Sequence, residues 1–125
     1  KEFDRLAGTS TRESDRIQKA LAMARQYQLI IVLKGHHTCI AMPGGKAWFN
    51  MSGNASMAKG GSGDVLTGIL TGLLARGYTP EQTVLLGVYL HGLAGELASD
   101  EWGMESVLAS DIIQQLGQAF KKLAQ

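Results

Sequence analysis

The chain has 125 residues, of which 45% are hydrophobic and 18% charged, a composition typical of soluble globular domains. Its net charge of +1 does not favour a nucleic acid or an acidic membrane surface as a partner. No apolar run reaches the ~20 residues that a membrane span needs. The single cysteine, Cys39, excludes an internal disulfide and fits a reducing compartment, so we expect a cytoplasmic protein.

The first half of the chain alternates between helical and strand patterns. Residues 10–13 (STRE) have the pattern of a capping box and are followed by apolar residues at helical spacing. The five consecutive apolar residues 29–33 (LIIVL) are typical of a strand buried on both faces of a parallel sheet. Two further strands are predicted at 38–42 and 46–50, joined by a hairpin turn at 43–45 (PGG).

The second half is predicted to be helical. A helix begins at Asp64 and stops at 76–77 (RG). The next begins at 79–82 (TPEQ), which combines a threonine cap with a proline at the first helical position, and continues to about Ser99. It is apolar on most sides, so we expect it to be buried. A last helix is predicted to begin near 110–111 (SD).

The predicted sheet is too small for the predicted helices. One buried strand and one hairpin cannot cover three apolar helices, so we expect residues 1–125 to be the C-terminal portion of a larger α/β domain. The N-terminal half of that domain, absent from this chain, would then be its partner. A complete small α/β domain is the alternative, and it would leave a buried type of strand without neighbours.

Residues 58–70, AKGGSGDVLTGIL, place a glycine-rich stretch directly before a helix. A helix N-terminus stabilises an anion through its unpaired N–H groups and its dipole, and glycines let the backbone approach that anion closely. An acid at the rim, Asp64, can accept the proton of a hydroxyl that attacks a phosphate. The alternative is that Asp64 is an ordinary N-cap and that the glycines form a turn.

Residues 53–68, GNASMAKGGSGDVLTG, resemble the signature of the ADP-dependent NAD(P)H-hydrate dehydratase family, whose fold is ribokinase-like. Residues 32–38 (VLKGHHT) resemble the family's nucleotide-binding segment, and 1–6 (KEFDRL) resemble the segment after its histidine–proline motif. The resemblance implies the C-terminal half of a ribokinase-like α/β fold: a buried strand, a β-hairpin, a glycine-rich anion loop and three helices. Residues 55–56 (AS) and Lys59 depart from the family pattern in the approach to the loop.

The resemblance also implies a chemistry. ADP, or ATP in some lineages, phosphorylates the ring hydroxyl of hydrated NADH or NADPH, after which phosphate leaves and the dihydronicotinamide ring is restored. Asp64 would deprotonate the hydroxyl, and N–H groups around Gly61, Ser62 and Gly63 would form the anion hole. Magnesium on the phosphates is implied as well, without a protein ligand motif, because it keeps several waters.

The remaining site residues are implied by the same resemblance. Contact with the nucleotide is implied for Gly63 and for a run of five residues: Lys34, Gly35, His36, His37 and Thr38. For Asn54 two roles stay open at the level of sequence, a turn residue or a residue that shapes the site at the nucleotide edge. We favour the second and place Asn54 with Asp64 among the expected substrate-binding residues. No metal site is expected at the two histidines, because neighbouring side chains in a strand point to opposite sides. Family members commonly form tetramers, so a homo-oligomer is implied.

Other conspicuous side chains favour structural roles. His91, within an apolar helix, is expected to be a hydrogen-bonded core histidine. Trp48, Phe49 and Trp102 are expected to pack in the interior, and Asp111 is expected to support the N-terminus of its own helix.

Two further functions remain open at the level of sequence. A sugar or vitamin kinase of the same fold would keep its phosphorylated product instead of eliminating phosphate. A non-catalytic module would bind the nucleotide without turnover.

Overall fold

The structure, a computed structural model, describes residues 2–35, 37–54, 57–58 and 60–124. Its elements in chain order are α1 (Glu2–Ala7), α2 (Glu13–Tyr27), β1 (Ile31–Leu33), β2 (Thr38–Ala41), β3 (Ala47–Asn50), α3 (Ser62–Ala75), α4 (Pro80–Trp102), α5 (Ala109–Gln114) and α6 (Leu116–Ala124). The chain divides into two compact units, Lys1–Asn50 and Met51–Gln125, which are described in turn.

The first unit contains an antiparallel three-stranded sheet with the order β1-β2-β3. Ile40 in β2 pairs with Val32 of β1 and with Trp48 of β3. A hydrogen bond from the Met42 N–H to the Lys46 carbonyl oxygen (2.9 Å) closes the turn, so the predicted hairpin is confirmed. Small side chains of α2 and one aromatic side chain of α1 pack with residues of β1 and β2 in one buried cluster: Phe3, Ala20, Ala24, Leu33, Cys39 and Ala41.

Strand β1 differs from its prediction in direction and in burial. It is antiparallel to β2, and only Leu33 of its three residues is buried, while Leu29 is 51% exposed. The prediction of a parallel strand buried on both faces is therefore wrong for the described residues. An apolar run records the hydrophobicity of a strand, but the direction and number of its neighbours are tertiary properties.

The predicted capping box at the start of α2 is also wrong. The N-cap is Arg12, in an extended conformation (φ −118°, ψ 145°), and no side chain caps the helix there. Ser10, the expected cap, lies two residues too early, and its hydroxyl oxygen is buried without a hydrogen-bond partner among the described residues. The motif had the right spacing, but the helix begins one half-turn later.

Three aromatic side chains expected in the interior are exposed instead: Trp48 by 43%, Phe49 by 54% and Trp102 by 53%. Trp48 and Phe49 belong to β3, the edge strand of the sheet, and Trp102 is the last residue of α4. The prediction rested on the large apolar area of these side chains. Their positions on an edge strand and at a helix end leave them uncovered within this chain.

The second unit is built around α4, and its predicted cap is confirmed. The Thr79 hydroxyl accepts a hydrogen bond from the Gln82 N–H (3.1 Å), and the Gln82 side chain accepts one from the Thr79 N–H (3.1 Å). Pro80 occupies the first position of the helix, where a missing N–H costs nothing. This reciprocal bonding fixes where the 23-residue helix begins.

Helix α4 is buried on most of its surface, as predicted. It supplies much of the core cluster of this unit: Leu90, Leu93, Ala94, Ala98, Val107, Ile112 and Ala119. A side chain at Gly87 would place its Cβ 2.5 Å from Leu70 Cδ2, so α3 approaches α4 at this glycine. Although α4 is long, neither it nor another helix among the described residues is apolar enough to cross a membrane.

Helix α3 begins two residues earlier than predicted, at Ser62, and ends at Ala75 as the predicted stop requires. Gly77 follows two residues after the end of the helix and has φ +98°, a conformation that glycine adopts without strain. The inward side of the helix is formed by Leu66, Ile69 and Leu73.

The predicted last helix is divided into α5 and α6 by a turn at Gln115, whose N–H bonds to the Ile112 carbonyl oxygen at 3.1 Å. Asp111 supports its helix N-terminus as predicted, because its carboxylate accepts a hydrogen bond from the Leu108 N–H at 2.8 Å. The apolar spacing continues across the break, which is why sequence reasoning joined the two helices.

Candidate active site

The glycine-rich loop turns sharply into α3. Gly61, the N-cap, has φ +87° and ψ −12°, and a Cβ there would lie 3.2 Å from the Ala109 side chain. The positive φ therefore favours glycine at this position, and a Cβ would in addition press against Ala109. The loop enters the helix through a left-handed residue, which is the geometry that a close anion cradle needs.

The N-terminus of α3 presents backbone N–H groups that have no acceptor within the described part of the chain. The Val65 N–H donates to the Gly61 carbonyl oxygen at 3.1 Å. The preceding N–H groups of Ser62, Gly63 and Asp64 have no hydrogen-bond acceptor among the described residues. The helix dipole lies behind these three N–H groups, an arrangement that favours an anion. They overlap with the predicted anion hole at Ser62 and Gly63, whereas Gly61, its third predicted residue, is the N-cap.

Asp64 occupies the third position of α3 and is exposed. The N-cap is Gly61, and no side chain among the described residues caps this helix. The interpretation of Asp64 as an ordinary N-cap is therefore wrong. The Asp64 carboxylate is exposed beside N–H groups that have no acceptor among the described residues.

Ser62 is linked to α4 through a buried hydrogen bond. Its hydroxyl oxygen lies 3.2 Å from Nε2 of His91, and both side chains are buried, with exposures of 3% and 7%. The prediction that His91 is a hydrogen-bonded core histidine is confirmed. Sequence reasoning missed its partner, because Ser62 and His91 are far apart in the chain and only the packing of α3 on α4 joins them.

The segment that carries Gly53 and Asn54 rests on α4. The Gly53 N–H donates to the Glu96 carboxylate at 3.0 Å, with Gly53 at φ +94°. The Ser99 hydroxyl oxygen lies within hydrogen-bond distance of Asn54 Oδ1 (3.2 Å) and of the Gly95 carbonyl oxygen (3.0 Å). Asn54 is thus held half-buried against the same helix that holds Ser62.

Two glycines of α4 make this contact possible. A Cβ at Gly92 would lie 2.7 Å from the Ser52 carbonyl carbon and 2.9 Å from the Gly53 nitrogen, and one at Gly95 would overlap the Met57 sulfur. Sequence reasoning missed both glycines. The available signal was the run 91–95 (HGLAG), in which small residues interrupt an otherwise apolar helix.

The predicted nucleotide-binding residues lie at the end of β1 and the start of β2. Lys34, Gly35 and His37 are exposed in the connection, and Thr38 is the first residue of β2. His36 falls outside the described residues. All five belong to the first unit, whereas Asn54 and the residues from Gly61 to Asp64 belong to the second.

Two other expectations concern the approach to the glycine-rich loop and the binding of a metal ion. The departures from the family pattern at 55–56 and at Lys59 fall outside the described residues. Across the part of the chain that the structure describes, no three His, Cys, Asp or Glu side chains form a group able to hold a metal ion.

Comparison with known proteins defines the class first. The fold matches a ribokinase-like superfamily protein from Enterococcus faecalis with a TM-score of 0.78 and 33% identity, over 97% of this chain and 41% of that one. It matches an ADP/ATP-dependent NAD(P)H-hydrate dehydratase from Bacillus subtilis, co-crystallised with ATP and Mg²⁺, with a TM-score of 0.88 and 41% identity, over 97% of this chain and 44% of that one. The chain therefore has the α/β architecture of the ribokinase-like class.

The sequence matches identify the family. A family model described as NAD(P)H-hydrate dehydratase matches residues 1–118. A bifunctional NAD(P)H-hydrate repair enzyme from Thermofilum pendens is 41% identical over 98% of this chain and 24% of its own length. The Bacillus subtilis ADP-dependent (S)-NAD(P)H-hydrate dehydratase is 42% identical over 97% of this chain. The chain belongs to the NAD(P)H-hydrate dehydratase family, and it spans less than half the length of these relatives, 45% of the Bacillus subtilis enzyme.

Proposed function

We propose that the complete protein containing this chain uses ADP or ATP to dehydrate hydrated NADH or NADPH and so repairs damaged nicotinamide cofactors. Family membership supports this proposal, since relatives carry the names NAD(P)H-hydrate dehydratase and repair enzyme. The observation that carries it is the N-terminus of α3, where the N–H groups of Ser62 and Gly63, which have no acceptor among the described residues, lie beside the exposed Asp64 carboxylate. Phosphoryl transfer to a hydroxyl needs an anion cradle and a base in this arrangement.

Residues at the start of α3 have separate roles in the phosphoryl-transfer step. Asp64 accepts the proton of the ring hydroxyl as its oxygen attacks the terminal phosphorus of the nucleotide, and the bond from that phosphorus to the bridging oxygen breaks. The N–H groups at Gly61, Ser62 and Gly63 hold the transferring phosphoryl group as negative charge develops on it. A well-placed donor of this kind contributes about 10²–10³-fold to turnover, and a general base contributes about 10²–10⁴-fold.

Elimination completes the reaction. The carbon–oxygen bond of the phosphorylated hydrate breaks, phosphate leaves with the bonding electrons, and loss of a neighbouring proton restores the ring double bond. The same donors at Ser62 and Gly63 stabilise the departing phosphate. Water is thereby removed from the cofactor for each phosphoanhydride consumed.

Nucleotide and substrate contacts complete the proposal. Residues 34–38 would bind the nucleotide, and Asn54, held by Ser99 of α4, would bind the substrate together with Asp64. Bound magnesium supplies neutralising charge on the phosphates and needs few protein ligands.

The setting of the reaction is part of the proposal. The other half of the domain would complete the substrate pocket, and copies of the protein would assemble as a tetramer. Cys39 is a free, buried thiol, which fits a reducing cytoplasm.

The test is an incubation of the complete protein with hydrated NADH, ADP or ATP, and Mg²⁺. We expect the dihydronicotinamide absorbance to recover as phosphate is released in equal amount. A stable phosphorylated small molecule would instead indicate a sugar or vitamin kinase. Nucleotide binding without turnover of the hydrate would indicate a non-catalytic module, and either result would overturn the proposal.

A further inference from the structure

We infer that His91 is a positioning residue for the anion-binding loop and that it acts through the hydroxyl of Ser62. The inference rests on the proposed function, because it concerns how the same loop is held for phosphoryl transfer. His91 lies in α4 and Ser62 at the first position of α3, and their side chains meet at 3.2 Å in a buried environment.

The composition of the loop explains why such a contact is needed. Within residues 60–63 (GGSG), Ser62 alone has a side chain beyond Cα. Gly61 and Gly63 on either side lose more conformational entropy than other residues when they are fixed, and they offer no side chain by which the fold can fix them. The Ser62 hydroxyl is therefore the side-chain group through which the fold can hold residues 60–63 in place.

The other end of the contact is rigid. His91 lies between Leu90, which is fully buried, and Gly92, against which the Ser52–Gly53 backbone is packed. Within the same helix, Glu96 accepts the hydrogen bond of the Gly53 N–H. A contact to His91 thus ties the start of α3 to a helix with many buried residues.

The pair also accounts for two polar groups in an apolar interior. A buried hydroxyl without a partner is destabilising, so the contact to His91 makes the Ser62 hydroxyl acceptable in the core. Either neutral tautomer of His91 can form the bond, because the Ser62 hydroxyl both donates and accepts. The contact directs the first turn of α3, and with it the N–H groups of Ser62 and Gly63 that point at the phosphoryl group.

The test compares turnover with nucleotide affinity in the complete protein. His91→Phe keeps a ring of similar size but cannot bond to Ser62, and we expect kcat to fall by about 10²-fold, the cost typical of a small misplacement in an active site. The dissociation constant for ADP should change by less than about threefold, as expected for an interaction that matters in the transition state. His91→Gln, whose amide can reach Ser62, should recover most of the lost kcat.

A matched control is Thr83→Val, which removes a different buried polar group from α4, the Thr83 hydroxyl. The Thr83 hydroxyl has no hydrogen-bond partner among the described residues, so this variant should fold and turn over like the unmodified protein. Equal loss of kcat in Thr83→Val and His91→Phe would show general damage to α4 and overturn the inference.

Ser62→Ala tests the other end of the contact and also serves if His91→Phe does not fold. It should reproduce the loss of kcat, and the double variant should lose about 10²-fold as well, not the product of the two losses, because both changes break one bond. Independent, multiplying losses would contradict the inference.

Amide hydrogen exchange separates this inference from the proposed function. If the unmodified protein does not dehydrate the hydrate, the proposed function fails, but the contact can still be judged. Exchange at Val65 and Leu66, in the first turns of α3, should be faster in His91→Phe and Ser62→Ala than in Thr83→Val. Unchanged exchange in both variants would overturn the positioning role.

Discussion

Gly92→Ala is the substitution whose effect the structure defines most sharply. The new Cβ would lie 2.7 Å from the Ser52 carbonyl carbon and 2.9 Å from the Gly53 nitrogen, distances that real contacts do not reach. Both neighbours are backbone atoms, so no side-chain rotation can relieve the overlap. The segment must move away from α4.

Three contributions set the change in the free energy of unfolding caused by Gly92→Ala. Forced repacking costs about 1–3 kcal/mol. Displacing Gly53 also weakens the hydrogen bond of its N–H to the Glu96 carboxylate (3.0 Å), and a bond to a charged group contributes about 1.5–3 kcal/mol. Alanine is the better helix former and offsets about 1 kcal/mol of this loss. We expect the free energy of unfolding to fall by about 2–4 kcal/mol, the middle of the range that these terms span.

Urea denaturation of the complete protein measures this change, with Gly72→Ala as the matched control. Gly72 is also inside a helix, but a Cβ there meets nothing within 4 Å. The same substitution should therefore stabilise the protein by up to about 1 kcal/mol at Gly72, opposite in sign to Gly92. Equal stabilisation by both variants would refute the close approach of Ser52 and Gly53 to α4.

Two further predictions concern the loop and the cysteine. Gly63→Ala should leave a folded protein, because Gly63 is already helical, but its turnover should fall by about 10²–10³-fold if the added methyl displaces one donor from the phosphoryl group. Steady-state kinetics and thermal denaturation of the Gly63→Ala variant test this prediction. Unchanged turnover would show that residues 60–63 form only a structural turn. Burial, with the Glu13 carboxylate second, raises the pKa of the Cys39 thiol. The native thiol should resist alkylation, and its contribution to stability should be lost as the pH rises above the unfolded-state pKa of about 8.5. Rapid alkylation of the folded protein at neutral pH would contradict this prediction.

Local signals in the sequence predicted much of the architecture. The hairpin of β2 and β3, the capped start of α4 and its burial all result from turn chemistry and apolar spacing within short stretches. The failures depended on tertiary context. The direction of β1 depends on which strand it meets, and the start of α2 depends on where the chain leaves its extended conformation at Arg12.

The candidate site divides in the same way. The glycine loop and Asp64 were singled out from residue types in order together with the family resemblance, because the proposed anion cradle is a local structure. The supports of the site could not be found in this way. His91 contacts Ser62 of the loop, whereas Gly92 and Glu96 contact the segment Ser52–Gly53, and each partner lies far away in the chain. A serine within a glycine run and small residues within an apolar helix were visible, but only the packed structure shows that they meet.

The most direct test of the proposed function is the turnover of Asp64→Asn with hydrated NADH and ADP, with Asp100→Asn as control. Asparagine keeps the shape of the side chain but cannot accept the proton, so kcat should fall by about 10²–10⁴-fold, with ADP affinity close to normal. Asp100, an exposed carboxylate in α4, should be replaceable without loss. Retention of a large part of the activity by Asp64→Asn, or an equal loss in Asp100→Asn, would contradict the role of Asp64 as the base.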